Sequence, residues 1–287
     1  FINNLKILKN SNISTIISDS TNSLINGYTP SENYAHNGLN KIISKSEGMI
    51  IITCFSSNIS RIKSILEIAK TNEKKVCILG RAIKRSIEAA IDVGLIEKNY
   101  TFYSINEIEK FSKQNLIVIS SGSQGEPNSS LTRIASGKIE KIKLDDKDSI
   151  IFSSKKIPGN ERKISKVEYM FMEKNVSIFN EENDKSIHVS GHPCKDEIFD
   201  MYTILKPKSV IPVHGNFNQL KANAQIAKSC KVEKILIPRN GNIFEFINGN
   251  PTFIERIEMD TKVFDGEKVI SLKDEKFSIR KQALWNG

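Results

Sequence analysis

One aspartate and three histidines stand where short apolar runs of the sequence end, and these residue types could carry acid–base or metal chemistry. Asp19 follows one such run and His214 follows another, while His188 and His192 share the segment His-Val-Ser-Gly-His-Pro. Imidazole is a common zinc ligand and the usual proton donor near neutral pH. A single histidine is more often a core or surface residue, but glycine-flanked histidines after successive apolar runs favour a functional site.

A second pattern joins glycines and hydroxyls directly after an apolar run. Residues 121–125 read Ser-Gly-Ser-Gln-Gly and follow Leu-Ile-Val-Ile at 116–119. Glycine lets a backbone approach a ligand closely, so such a loop can present N–H and hydroxyl groups to a phosphate. Most loops of this composition are only turns. The residues alone therefore indicate an enzyme with a metal or phosphate site, and no more.

The elements that must position these residues alternate along the chain. Short β-branched runs predict strands, and stripes of apolar residues three or four apart predict helices between them. The predicted strands lie near 49–55, 76–79, 116–119, 150–152, 187–189 and 210–213, and the predicted helices near 59–69, 83–91, 195–205 and 217–230. This alternation is typical of α/β layers around a largely parallel sheet. Past residue 250 only short β-like pieces are predicted.

Composition narrows the class of protein further. Lys and Arg exceed Asp and Glu by 42 to 33, a net charge of +9, which favours polyanionic partners without bearing on the fold. None of the four cysteines forms a C-x-x-C pair, which argues against a zinc knuckle or a thioredoxin-like motif and fits a reducing cytoplasm. The longest apolar run is too short to cross a bilayer, so no membrane association is expected.

Seven segments, taken in order, resemble ribonuclease J, a bacterial family of metallo-β-lactamase nucleases that carry a β-CASP domain. They are Ser-Asp-Ser-Thr-Asn at 18–22, Phe-Ser-Ser-Asn-Ile-Ser-Arg at 55–61, Gly-Arg at 80–81, Ser-Gly-Ser-Gln-Gly-Glu-Pro at 121–127, Ile-Pro-Gly-Asn-Glu at 157–161, His-Val-Ser-Gly-His at 188–192 and Pro-Val-His-Gly at 212–215. The resemblance extends to about residue 280.

The resemblance implies an α/β fold: the second part of a metallo-β-lactamase αββα sandwich, with an inserted β-CASP α/β domain. The expected divisions are the end of the first sandwich half at 1–25, the β-CASP domain at 26–185, the return segment at 186–256, and a β-rich linker at 257–287 toward a further domain. The family's His-x-His-x-Asp-His cluster does not occur in the sequence. We therefore expect a fragment that is inactive by itself.

The resemblance also implies the reaction and its components. The expected activity is zinc-dependent RNA hydrolysis in maturation and decay, 5′-to-3′ from 5′-monophosphate ends and also endonucleolytic. Two zinc ions are expected in the intact enzyme, with most ligands upstream of this chain. The expected partners are single-stranded RNA with a 5′-monophosphate and further copies of the protein, as a dimer or tetramer in the cytoplasm.

Individual roles follow by matching residues to the family pattern. His214 would ligate zinc. His192 would contact the scissile phosphate and protonate the departing oxygen, and Asp19 would hold that imidazole in one tautomer and favour its charged form. His188 would be structural. The residues expected to bind substrate are Ser121, Gly122, Ser123, Gln124, Gly125 and Ser190 at the 5′-phosphate, Phe55 on a base, and Asn58 and Arg61 nearby, with Arg81 as a further phosphate contact.

Two other functions remain open from the sequence. A non-catalytic RNA-binding paralogue would keep the phosphate pocket and lose the metal cluster. A metallo-β-lactamase-fold hydrolase of a small ester is a further alternative, although such a substrate needs no nucleic-acid clamp.

Overall fold

The computed structural model describes residues 2–265 and 268–286, and it divides the chain into two compact units. Unit 1 joins the residues up to Tyr28 with those from His192 onward, and unit 2 is the intervening Thr29–Gly191. The sequence places the inserted domain at 26–185. That assignment of named domains to chain segments stays a prediction.

The helices are, in chain order, α1 (Ile2–Leu8), α2 (Glu32–Ile43), α3 (Ile59–Thr71), α4 (Arg81–Asp92), α5 (Ser130–Ala135), α6 (Glu161–Met172), α7 (Lys195–Leu205), α8 (Phe217–Ser229) and α9 (Glu275–Asn286). The strands are β1 (Thr15–Asp19), β2 (Ile50–Thr53), β3 (Lys75–Leu79), β4 (Phe102–Tyr103), β5 (Leu116–Ser120), β6 (Ser149–Phe152), β7 (Ser177–Phe179), β8 (Ser209–Val213), β9 (Lys234–Ile235), β10 (Asn242–Ile247), β11 (Asn250–Arg256), β12 (Lys262–Asp265) and β13 (Lys268–Ser271). Short 3-10 turns occupy Lys9–Ser11, Ile108–Lys110, Lys113–Asn115 and Lys185–Ile187.

Unit 2 is built on a parallel sheet in the order β4-β3-β5-β2-β6-β7. Its central strands are buried along their whole length, as expected for a parallel sheet covered on both faces. Successive side chains point to opposite faces, so Ile50 and Ile52 belong to one core cluster while Ile51 belongs to the other. The continuous apolar runs of the sequence are thus explained by burial on both sides.

Unit 1 contains a smaller parallel sheet in the order β1-β8-β9. Helices α7 and α8 cover it through Ile198, Tyr202 and Ile226, which pack with Val210 of the central strand. Two antiparallel hairpins, β10–β11 and β12–β13, follow the sheet along the chain. The predicted parallel α/β arrangement is therefore present in both units.

Two predicted elements are wrong. The predicted strand at 187–189 does not form, because the chain turns at Lys185–Ile187 as a 3-10 helix capped by Asp184, whose Oδ1 accepts from the Ser186 N–H at 2.8 Å. Ile187 is fully buried, so its apolar neighbourhood reflects packing rather than sheet pairing. The predicted β-rich linker at 257–287 contains helix α9 as well as a hairpin; residues 266, 267 and 287 of that range lie outside the described residues.

No helix in the described ranges combines the length and the apolar character needed to span a bilayer.

Candidate active site

The candidate site lies where the two paired strands of unit 1 end. Strands β1 and β8 run parallel, with Asp19 in register with Val213, so Asp19 and His214 emerge at the same edge of the sheet. The carboxyl ends of parallel strands are where α/β proteins place ligand-binding loops. His192 joins them from the segment before α7, and the Asn22 side chain anchors it by donating to the His192 carbonyl at 3.0 Å.

One carboxylate oxygen connects the two imidazoles. The distance from Asp19 Oδ2 to His192 Nδ1 is 2.7 Å, and from the same oxygen to His214 Nδ1 it is 3.2 Å. The rings stack with centroids 5.2 Å apart and an interplanar angle of 21°. Thr21 Oγ1 also lies 2.8 Å from His214 Nδ1. The three side chains predicted from the sequence to act together are therefore in direct contact.

Hydrogen bonds keep Asp19 ionised. Burial by itself would raise the pKa of Asp19, but the Thr21 backbone N–H, which donates to Oδ1 at 2.7 Å, and the contact with His192 lower it below its usual range. The carboxylate is consequently charged at neutral pH and can accept a hydrogen bond from a protonated ring nitrogen of either histidine.

The turn that carries His214 has an unusual backbone. His214 adopts φ 55°, the left-handed region that non-glycine residues rarely occupy. The next residues start α8, where Asn216 and Gln219 form a reciprocal capping box. A histidine held in this conformation at the end of a strand fits the association of strained backbone with functional sites. The ring is exposed over 66% of its side-chain surface, so it is open to a ligand.

A buried amide on α8 fixes the loop that carries Asp19. Asn223 is fully buried; its Oδ1 accepts from the Tyr202 hydroxyl at 2.6 Å, and its Nδ2 donates to the Asp19 carbonyl at 2.9 Å and to Ser20 Oγ at 3.0 Å. Gln219 adds a hydrogen bond to the Thr21 carbonyl at 2.6 Å. The sequence analysis missed both residues. The available signal was an asparagine within the apolar stripe of α8.

The donor set is compatible with a divalent metal ion. Asp19, His192 and His214 each offer one ligand atom, and these atoms lie within 4.8 Å of one another. Imidazole nitrogen and carboxylate oxygen are the ligands that zinc takes in catalytic sites. Of these three described groups, the exposed His214 ring is the donor best placed to hold an ion. A pair of ions needs further ligands.

The predicted phosphate loop at 121–125 is more closed than expected. Ser123 and Gln124 are buried. The Gln124 N–H donates to Glu126 at 2.9 Å, and its side chain donates to the Lys155 carbonyl and accepts from the Ile157 N–H. The predicted phosphate contact by Gln124 is therefore corrected to a structural role, since its polar groups are already paired.

The glycines of this loop are required by packing. Gly125 has φ 67°, and a Cβ there would lie 2.5 Å from the Lys163 carbonyl carbon; one on Gly122 would meet Ser129 Oγ at 2.3 Å. Ser121 is half-buried and borders an open cavity of unit 2. Ser190 is also half-buried, in the last residues of the same unit.

Arg61 is not available to a substrate, and its predicted RNA contact is wrong. The side chain is 0% exposed, and Nε lies 2.5 Å from Glu32 Oε1. Nη1 donates to Ser153 Oγ at 2.5 Å and to the Ile187 carbonyl at 3.1 Å. Through these contacts the guanidinium joins α2 and the residue after β6 to the segment before His188. The sequence could not distinguish this buried arginine from a surface one.

Phe55 and Asn58, the other two residues of the 55–61 segment that were predicted to bind RNA, lie in the turn before α3. Asn58 caps this helix, because its Oδ1 accepts from the Arg61 N–H at 3.0 Å. Phe55 is half-buried directly after the strand β2. Base stacking by Phe55 and an RNA contact by Asn58 remain predictions.

His188 should make the stability of the chain sensitive to mild acid. Burial, with Arg61 Nη1 only 3.4 Å from Nδ1, lowers the pKa of His188 to about 4. The unfolded chain titrates near 6.5, so it binds the proton first. The contribution of neutral His188 to the free energy of unfolding is therefore fully present above about pH 6.5 and is lost as the pH falls toward 4.

Urea midpoints measured between pH 7.5 and 5 should consequently fall less in a His188→Asn variant than in the unsubstituted chain. His36→Asn, which changes a histidine elsewhere in unit 2, is the matched control. Equal acid sensitivity of the His188→Asn variant and the parent would contradict the assignment.

Comparison with known proteins places the chain in a family. Residues 47–170 match "Ribonuclease J, beta-CASP domain", and residues 183–238 match "Zn-dependent metallo-hydrolase RNA specificity domain". Ribonuclease J of Sinorhizobium meliloti is 36% identical over 84% of this chain and 42% of its own length. Ribonuclease J of Mycoplasma genitalium is 31% identical over 85% and 45%, and ribonuclease J2 of Bacillus subtilis is 30% identical over 90% and 46%. The chain spans less than half the length of these relatives.

These matches and the α/β architecture confirm the predicted fold class, a metallo-β-lactamase fold with an inserted β-CASP domain. The chain belongs to the ribonuclease J family.

Proposed function

We propose that this chain supplies the acid–base half of a metal-dependent active site that hydrolyses RNA phosphodiester bonds. The observation that carries the proposal is the contact of Asp19 Oδ2 with both His192 and His214 at 2.7 and 3.2 Å. The names of the relatives and of the matched RNA specificity domain support RNA as the substrate.

His192 is the proton donor in this proposal. Its Nδ1 faces Asp19, so Nε2 is the nitrogen that would deliver a proton to the departing 3′ oxygen as the P–O3′ bond breaks and a water oxygen bonds to phosphorus. Asp19 orients the ring, in the way that a carboxylate orients histidine in other hydrolases. Positioned general acids of this kind accelerate reactions by about 10²–10⁴-fold.

His214 is the metal ligand in this proposal, with zinc as the ion and two ions in the intact enzyme. A zinc site of this class supplies Lewis-acid activation of water and offsets charge on the phosphoryl oxygens. Asn223 and Gln219 of α8 contribute by keeping the Asp19 loop in place.

The finer features of the activity are also proposed from the family resemblance. The enzyme would degrade single-stranded RNA 5′-to-3′ from a 5′-monophosphate and would also cut internally. Ser121 with the neighbouring loop and Ser190 would select the terminal phosphate, and Phe55 would stack on a base. We further propose a homo-oligomer in the cytoplasm.

The test uses the full-length protein with zinc or manganese and a 3′-labelled RNA carrying a 5′-monophosphate. A His192→Ala variant should hydrolyse this RNA about 10²–10⁴-fold more slowly than the parent while still binding it. His36→Ala serves as the matched control, and RNA with a 5′-triphosphate tests the end preference.

Intact RNA under every metal condition, with binding retained, would refute hydrolysis and support the RNA-binding paralogue. Unchanged hydrolysis by His192→Ala would refute the role of His192.

A further inference from the structure

The connections that leave β3 and β5 diverge to opposite faces of the unit 2 sheet. These strands are neighbours, with Leu79 in register with Ser120. Helix α4, which follows β3, packs through Ile83 into the core cluster of one face. Helix α5, which follows β5, packs through Leu131 into the cluster of the other face. Two connections that diverge in this way leave a crevice at the carboxyl ends of their strands, the place where open α/β sheets bind ligands.

An open cavity of about 700 Å³ occupies this crevice, and its walls are basic. Arg81 and Arg85 of α4 face it from one side and Arg133 of α5 from the other. Ser121 and Ser130 border it as well, with their hydroxyl oxygens 3.4 Å apart and so only weakly bonded to each other. With Ser129, the cavity is therefore lined by three arginines and three serines, and by no carboxylate.

The three arginines are uncompensated within the part of the chain that the structure describes. All three are exposed, and no described acidic group pairs with their guanidinium groups. Arg61 of the same unit differs from them, because its guanidinium donates to Glu32 and to two carbonyl groups. Three like charges facing one cavity favour an anionic occupant, and the planar fork of guanidinium matches the oxygens of a phosphate.

The backbone brings the two arginine-bearing helices together. Gly80, at φ 128°, has no room for a side chain, because a Cβ would lie 2.5 Å from Ser121 Oγ. Its lack of a side chain lets the start of α4 approach the loop after β5. The positive end of the α4 dipole then adds to the field of the arginines.

We propose that this crevice, through Arg81, Arg85, Arg133 and Ser130, binds backbone phosphate groups within an RNA strand. The identification of the strand as RNA rests on the proposed function. No aromatic residue lines the cavity, so it has no platform for base stacking and would hold the backbone without reading the sequence. The lining residues of the crevice belong to unit 2, whereas Asp19, His192 and His214 belong to unit 1.

The test measures binding without hydrolysis. The whole chain is titrated, in EDTA, against a fluorescently labelled single-stranded RNA with a 5′-hydroxyl, so that neither metal nor a terminal phosphate contributes. The triple variant Arg81→Gln, Arg85→Gln, Arg133→Gln should bind about 10- to 100-fold more weakly at low salt, with the slope of log affinity against log salt reduced by about 2.

The matched control removes the same charge elsewhere on unit 2, through Lys63→Gln, Lys98→Gln and Lys174→Gln, all at exposed positions. Replacing all three crevice arginines by lysine should weaken binding less than replacing them by glutamine, because lysine keeps the positive charge and loses only the planar guanidinium group. Thermal melting of each variant verifies its folding.

An equal loss of affinity in the control variant Lys63→Gln, Lys98→Gln, Lys174→Gln would overturn the proposal, since net charge alone would then explain binding. Failure of the unsubstituted chain to bind this RNA would also overturn it, as would displacement of the RNA by a mononucleotide at equal phosphate concentration. These outcomes are independent of hydrolysis, so the proposed function and this inference fail separately.

Discussion

Replacing Arg61 with methionine is expected to lower the free energy of unfolding by about 3–5 kcal/mol, the cost of breaking a buried ion pair. Arg61 is fully buried, whereas 27% of the Glu32 side chain is exposed. The variant leaves the Glu32 carboxylate without its partner and removes the Arg61 donor from the carbonyls of Ser153 and Ile187. Urea denaturation of the chain at pH 7.5 measures the change.

Arg162→Met is the control, because Arg162 is exposed on α6 and should cost no more than about 0.5 kcal/mol. The pair Arg61→Met and Glu32→Gln should cost less together than the sum of the single changes, since each single change leaves a charge unpaired. A loss below about 1 kcal/mol for Arg61→Met would contradict the buried-charge account.

Asp19→Asn in the full-length protein is expected to slow RNA hydrolysis by about 10²–10⁴-fold with RNA binding retained. Asparagine can still accept the Thr21 N–H through its oxygen, which lies 2.7 Å away in the parent. It then presents an NH₂ group to His192 Nδ1, which favours the wrong tautomer. Hydrolysis of a labelled RNA by the parent and the variant, followed over pH 5–9, measures the loss of rate.

The metal content separates two roles for this carboxylate. Asp19 acts through His192 in the proposed mechanism, so zinc measured by mass spectrometry should stay bound in the variant. Loss of zinc together with activity would instead make Asp19 a metal ligand, in line with its 3.2 Å contact to His214. Asp92→Asn, an exposed position on α4, is the matched control.

The sequence predicted the parts of the fold that depend on local patterns. Runs such as Leu116–Ile119 are buried on both faces, so every residue is apolar and the strand is readable. The run at 187–189 was wrongly predicted to be a strand, because burial of Ile187 in the core gives the same apolar sequence pattern without hydrogen bonds to another strand. A short apolar run indicates burial, and only tertiary contacts decide whether it pairs with another strand.

The residues of the candidate site could be predicted from the sequence, but the residues that hold them in place could not. Asp19, His192 and His214 end or follow apolar runs, and the structure brings them together. Asn223 was missed because its role depends on contacts with Tyr202 and with residues about 200 positions earlier in the sequence. Arg61 was misassigned for the same reason. Burial of a polar side chain is a property of the folded chain.

The separation of β1 from its partner sets an order of events during synthesis. Thr15 pairs with Ser209, and the whole of unit 2 lies between them in the sequence. At about 5–20 residues per second, β8 leaves the ribosome roughly 10–40 s after β1. Unit 2 contains all the strands of its own sheet, so that sheet can be completed while β1 still lacks the strand beside it. The aspartate of the candidate site is thus made first and meets its histidines last.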